Sequence, residues 1–463
     1  MGSTDLKLKW CTLVMLSAMT ASVPALAQQK SGPGIMGDDS LTWHGITLYG
    51  VIDIGLQYDT HGAPFSDYRP TASGNIVQKN SRQSVTGLTP SNMGQSRVGL
   101  QGIELLYGDL SAVFQVETFF NPQSGEVADS LKSLAVNNGR SPATQTTGFD
   151  GSSAGQIFQT AYVGLKSTHF GAITFGRQVT LLAEGTIKYD PNYDATAFGL
   201  LGASRSYSGG GSSEDNRLDS TVKYFANLDD RVHLGALYKL NGSYGGANTA
   251  FQADVGAAVA GASVDVYYSK VTNAISASSL TAAQVAALPA LGYSVSNSLS
   301  ATISDNTAFA FMALYRIDAL KFSAGYEHIR YAKPTTPLSA GFTDIGGYVL
   351  AFVNNTAYSN SKTVQLSWAG IRYSVGPSLD LTVAYYGYHQ NAYGAGSLGG
   401  CSTSTASVCS GSFQAFSFDA DYYFNKHFDA YLGTMYSGVH DGVASGYFYT
   451  TNINPTAGVR YKF

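Results

Sequence analysis

Gly151-Ser152-Ser153-Ala154-Gly155 has the spacing of a nucleophile elbow, in which a serine on a tight strand-to-helix turn attacks an acyl carbon. The pattern works only on that turn, and here it lies in a Gly/Ser-rich loop, where coincidence accounts for it. The 8 histidines are scattered, with no i, i+4 pair to hold a metal, and no glycine-rich phosphate loop ends in lysine. Cys401 and Cys409 stand in a Gly/Ser/Thr-rich segment with no histidine or second cysteine pair beside them. In an oxidising compartment they read as a small disulfide-closed loop, the alternative being two free thiols. A net charge of −4, with no basic stripe or arginine-rich arm, leaves nucleic-acid binding without support. These residues imply no catalytic constellation, metal or cofactor, so the elements that carry them have to supply the function.

Charged residues make up only 13% of the 463, about half the usual globular share, while aromatics reach 12% and glycine numbers 52. A soluble chain of this size needs a more charged skin, and a disordered one holds fewer Tyr and Phe. A helical membrane protein needs several apolar runs of about 20 residues, which the body of the chain lacks. The beginning reads as an export signal. Lys7 and Lys9 precede an uncharged stretch from Trp10 to Ala21, and Ala25-Leu26-Ala27 fits a small-x-small cleavage site. Residues 1–27, including Cys11, are therefore expected to be removed, leaving 28–463 as one domain.

That remainder is a series of segments with period-two alternation, which sends neighbouring side chains to opposite faces of a sheet. Leu48, Ile52, Leu56 and Tyr58 share one face of the first, with Thr47, Asp53 and Gln57 on the other. Phe114 and Val116 alternate with Gln115 and Glu117, Phe322 and Tyr326 with Lys321, Ser323 and Glu327, and Phe416 and Phe418 with Ser417 and Asp419. Sixteen such segments are expected, at 46–58, 96–106, 109–120, 157–167, 171–178, 217–226, 230–240, 248–257, 260–270, 305–317, 319–331, 362–375, 378–390, 412–424, 427–438 and 455–463.

Their connections alternate between very short turns, such as Tyr107-Gly108 and Gly376-Pro377, and long Gly/Ser/Asn/Thr-rich segments, such as 59–95, 121–156 and 179–216. An even strand number with short turns at one end and long loops at the other describes a transmembrane antiparallel β-barrel. Lipid leaves no backbone group free to pair with water, and a closed barrel satisfies them all. The fold expected is all-β: a 16-stranded barrel with short periplasmic turns and long extracellular loops, its apolar face toward lipid and its polar face toward a lumen. A soluble β-sandwich would put polar residues outside and would not segregate its loops in this way. Tyr107, Phe170, Tyr331, Tyr373 and Phe424 fall at strand ends, where barrels carry aromatic girdles. The Ala/Leu-rich segment 277–294, broken by Pro289, reads as part of a loop with room for one helical turn.

Several stretches resemble the Gram-negative general porins: Leu48-Tyr49-Gly50-Val51-Ile52-Asp53, Ser96-Arg97-Val98-Gly99-Leu100-Gln101-Gly102, Ala161-Tyr162-Val163-Gly164-Leu165, Phe175-Gly176-Arg177-Gln178, Ser220-Thr221-Val222-Lys223-Tyr224 and the terminus Gly458 to Phe463. The resemblance implies a homotrimer in the bacterial outer membrane, in contact with lipid and passing ions and small hydrophilic solutes down their gradients. It also implies that Val459, Tyr461 and Phe463 form the terminal signal for barrel assembly, and that loop 179–216 folds inward and narrows the channel. That loop carries Glu184, Asp190, Asp194, Glu214 and Asp215 against Lys188 and Arg205, and the family sets arginines opposite such acids. By motif position Arg97 and Arg217 match two of them, while Phe158-Gln159 stands where another is usual and Thr196-Ala197-Phe198-Gly199 only partly matches the loop tip. Acids facing arginines would set a transverse field that sorts solutes by charge while the width sorts them by size. The rivals are a solute-specific channel, an adhesive or structural barrel with a plugged lumen, and an outer-membrane enzyme.

Overall fold

The computed structural model describes residues 41–69, 71, 76–151, 155–193, 195–203, 216–229, 231–240, 249–403 and 406–463. The expected export signal, Asp194, Arg205, Glu214, Asp215 and Ser152 to Ala154 lie outside them. Sixteen antiparallel strands form one ring: β1 Ile46–Gly62, β2 Arg97–Tyr107, β3 Leu110–Phe119, β4 Phe158–Ser167, β5 Gly171–Val179, β6 Arg217–Asn227, β7 Val232–Lys239, β8 Ala250–Val259, β9 Ala262–Ser278, β10 Ser298–Ile317, β11 Leu320–Ala332, β12 Lys362–Val375, β13 Leu379–Gln390, β14 Gly411–Tyr423, β15 Phe428–Asp441 and β16 Thr456–Lys462. Each pairs with the next in sequence, and β1 pairs with β16 from Val51↔Lys462 to Gln57↔Thr456, which closes the barrel and leaves no edge.

Alternation sets the two faces. Ile52, Leu56 and Tyr58 of β1 are exposed outward while Asp53, Gln57 and Asp59 are buried inward. The same holds for Phe322 and Tyr326 against Lys321 and Glu327 on β11. No helix among the described residues is long and apolar enough to cross a membrane. At the turn end, Ala260 and Gly261 join β8 to β9 with φ of 48° and 84°, the two positive values a type I′ hairpin requires.

The structure adds to the expected plan at the loop end. Strands β9 and β10 run well past the expected limits at 270 and 305, and residues 282–291, read as loop, form a helix. That helix, Ala282–Leu291, starts on a capping box between Thr281 and Gln284 and ends at Gly292 in the left-handed region. A strand at Gln83–Pro90 pairs with the upper half of β1, and Tyr348–Asn354 pairs parallel with β10. Between Arg97 and Pro90 the chain leaves the ladder, so that β1 pairs with β2 up to Val51 and with Gln83–Pro90 from Ile54. The loop after β3 carries helix α1, Ser130–Ala135, and reaches β9 and β10, six strands round the ring, where Leu131 and Leu134 pack with Ile275, Leu299 and Ile303. Cys401 and Cys409 are joined in the loop after β13, and Gln390 Nε2 donates to the Cys409 carbonyl at 2.8 Å.

Candidate functional site: the lumen and its inner loop

The loop after β5 lies inside the barrel. Thr180 caps helix α2, Leu181–Tyr189, by accepting from the Ala183 amide. The helix buries Leu181, Leu182 and Tyr189 against inward-facing Leu237 of β7, Tyr267 of β9 and Met312 of β10. From its end the chain follows the wall and is clasped strand by strand. Lys188 Nζ lies 2.9 Å from Asp265 on β9, and Trp368 Nε1 of β12 donates to the Tyr189 carbonyl at 3.1 Å. Tyr386 of β13 donates its hydroxyl to Asp190 Oδ1 at 2.5 Å, and Asn192 Nδ2 donates to Ser417 Oγ of β14 at 3.1 Å. At the far end Thr196 Oγ1 donates to the Ser91 carbonyl at 2.5 Å and the Ala197 amide to the Asn92 carbonyl at 3.0 Å. The looped-out residues between Pro90 and Arg97 are thus the landing for this chain, held in turn by Asp53 Oδ2, which accepts from the Met93 and Gly94 amides at 2.7 and 2.8 Å. Glycine lets the loop lie flush, since a methyl group at Gly370 would meet the Pro191 ring at 2.5 Å.

Below the loop a cavity of about 740 Å³ remains, lined by Arg97, Arg217, Arg316, Lys321, Arg372, Arg460 and Lys462 and by Glu117, Glu184, Asp318, Asp380 and Asp421. Seven basic groups thus face five acidic side chains. Arg97 Nε lies 3.3 Å and Arg217 Nη2 3.5 Å from the two oxygens of one carboxylate, Glu117 of β3. Tyr49 donates to Glu117 Oε2 at 3.1 Å, and the Arg217 guanidinium stacks 4.6 Å from the Phe119 ring. Across the cavity the Tyr193 ring of the inner loop lies 3.6 Å from Lys321 Nζ and 4.2 Å from Arg372 Cζ. Arg460 is balanced, with Asp421 and Asp429 each 2.9 Å away.

The structure brings Arg97 and Arg217 together in the cavity, and the acid facing them is Glu117 on the wall rather than one on the loop. Glu184 lines the cavity and pairs with Lys223 on β6, the strand that carries Arg217. Asp190 turns away from the passage toward the wall, fully buried under Tyr386, and that burial pushes its carboxyl up from the usual carboxylate range. Of the expected loop acids, Glu184 thus lines the cavity with the two arginines, Asp190 does not, and Asp194 lies outside the described residues. Val459 and Tyr461 face outward, and the Phe463 ring lies 6.2 Å from that of Tyr461. Sequence reasoning missed Glu117, Lys321 and Arg372 as a set. Alternation put Glu117 and Lys321 on the polar face, but only the strand register sets Arg372 beside Lys321. Among the described residues no cluster of His, Cys, Asp or Glu is arranged to hold a metal ion.

A sequence profile of the Gram-negative porins matches residues 12–442. An outer membrane porin protein of Bordetella pertussis is 29% identical over 147 residues, which is 32% of this chain and 31% of that protein, so the match spans about a third of the relative's length. The fold is similar to that of an anion-selective porin from Comamonas acidovorans, with a TM-score of 0.56 at 16% identity over 90% of this chain and 99% of that one. It is also similar to the trimer form of OmpT, an outer membrane protein of Vibrio cholerae, with a TM-score of 0.53 at 14% identity over 90% and 99%. Ring closure, segregated loops, an inward-folded loop beside a charged cavity and a profile match over nearly the whole chain converge: the chain belongs to the Gram-negative porins, channel proteins of the bacterial outer membrane.

Proposed function

We propose that the protein is a passive diffusion channel for ions and small hydrophilic solutes, working as a homotrimer after export through a cleaved signal at residues 1–27, without catalysis. The observation that carries this reading is the charged cavity beneath the inner loop, where Arg97 and Arg217 share a single carboxylate. Its basic excess favours anions. The anion selectivity of the Comamonas porin and the trimeric form of the Vibrio protein agree with this reading. The test is the conductance of the refolded protein in a planar bilayer under a salt gradient. Stepwise ohmic currents with an anion-signed reversal potential are expected.

A barrel with a closed lumen, structural or adhesive in role, is the second reading. What favours it is apolar packing in the loop half of the lumen, where Leu200, Leu201, Phe413, Met435 and Val439 share a core. Electrical silence from a protein shown to be a folded barrel would select it.

A further inference from the structure

We propose that Lys321, Arg372 and Tyr193 form a binding subsite for a small oxyanion, a carboxylate or a phosphate, across the cavity from Arg97 and Arg217. The inference rests on the channel reading only for how the solute arrives.

Three cations stand side by side on adjacent strands. Arg316 of β10 is the register partner of Lys321 of β11, and Lys321 is the register partner of Arg372 of β12. Like charges directly opposite each other across strands are destabilising, yet Lys321 and Arg372 are only 6% and 7% exposed. The inner loop presses an aromatic ring onto both, and Tyr193 is held there with φ of 49°, a strained value for a residue with a side chain.

The acids that face this row serve Arg372 or other partners and give Lys321 no hydrogen bond. Asp380 lies 3.6 Å from Arg372 Nη1 and accepts from Ser374 Oγ and Tyr423. Asp190 accepts from Tyr386, Asp318 sits in the turn, and Asp419 of β14 is buried beside Arg372 rather than Lys321. Arg372 Nη2 also donates to the Pro191 carbonyl at 3.2 Å. Lys321 lines the cavity, and its Nζ, buried against the Tyr193 ring, has no hydrogen-bond acceptor among the described residues. A buried ammonium with only a ring face for a partner is costly until an acceptor arrives. An oxyanion supplies several acceptor oxygens at once, for the ammonium and for Arg372 Nε, the one nitrogen of that guanidinium without a partner. It also relieves the repulsion along the row.

The test is equilibrium binding of inorganic phosphate, and separately of acetate, to the refolded full-length protein in detergent, read by titration calorimetry beside conductance. Saturable binding is expected for at least one anion, and which of the two arms responds identifies its source. Lys321→Met should weaken it by about tenfold or more, Lys321→Arg should retain it, and Arg140→Gln, at an exposed loop residue outside the cavity, should leave it unchanged. Should the methionine variant not refold, Lys321→Gln removes the same charge. Saturable binding of neither anion, or equal binding by the wild type and the neutral variant, overturns the proposal. Ohmic conductance without such binding sinks the subsite alone, whereas binding without conductance sinks the channel reading alone.

Discussion

Neutralising Arg97 and Arg217 together should turn the channel toward cations. The two guanidinium groups and the Glu117 carboxylate form a unit of net charge +1, and Arg97→Gln with Arg217→Gln converts it to −1. A unit charge about 5 Å from a permeating ion in a water-like medium contributes about 0.8 kcal/mol, so removing two changes the ion's energy by about 1.7 kcal/mol. With each 1.4 kcal/mol worth about tenfold, anion occupancy beside the pair falls by more than tenfold and cation occupancy rises by as much. The assay is the reversal potential of the double variant in a planar bilayer under a salt gradient. Because the Debye length shrinks from about 10 Å at 0.1 M to about 3 Å at 1 M salt, the shift should be large at low salt and mostly gone at high salt. Glu117→Gln should move the potential the other way. An unchanged reversal potential at low salt, or the same shift at both salt concentrations, would refute the assignment of these arginines to the passage.

Tyr386→Phe removes the hydroxyl that Asp190 accepts from, and should cost about 1–2 kcal/mol of stability while making the inner loop easier to cleave. Guanidinium unfolding and limited proteolysis would show both, and an unaltered midpoint with an unaltered digest would argue against the clasp. Ala260→Asn should raise stability by roughly 0.5–1 kcal/mol, since Ala260 holds φ of 48° and asparagine tolerates that region better; a loss on heat unfolding would speak against the type I′ turn. At the turn end, Asp109 accepts from Ser167 Oγ, from the amide and hydroxyl of Thr168 and from the His169 ring, which holds its carboxyl well below the usual range. A carboxyl lowered in the folded state stabilises above its unfolded pKa, about 4, and loses that effect as pH falls toward its folded value. Asp109→Asn should therefore be less stable than the wild type at neutral pH and approach it in acid, whereas an equal deficit at both would count against an electrostatic origin.

The ring of strands was legible because one face meets lipid and the other does not, and β1 and β11 wear that difference as strict alternation. It fades where both faces are apolar. On β10, Phe309 and Phe311 point outward while Ala310 and Met312 point inward against the inner loop, so no period survives. The ends of β9 and β10 beyond the barrel were hidden for a related reason, because they pack on α1 and on Tyr348–Asn354, which the local pattern does not contain. The helix at Ala282–Leu291 did leave a local signal, Thr281 three residues before Gln284, outweighed in the reading by Pro289. At the site, Arg97 and Arg217 were legible by motif. The carboxylate they share depends on a register in which Gly99 pairs with Glu117, and Asp190, which by sequence reads as a loop acid facing the arginines, is taken instead by Tyr386, 196 residues away.

The clasp along the inner loop has a kinetic corollary. Its contacts join residues far apart in the chain, 179 residues for Trp368 and Tyr189, 225 for Asn192 and Ser417 and 257 for Asn454 and Ala197. Such non-local pairings form late, after the chain entropy between them has been lost. The wall strands β12 to β14 lie far beyond the loop in the chain, so the clasped residues seat only once those strands have joined the ring. The barrel therefore assembles with a tethered segment that gains its seat only as the last third of the chain arrives. Closure of β1 on β16 and seating of the loop become coupled steps, and a variant that weakens the clasp is expected to delay maturation as well as loosen the finished protein.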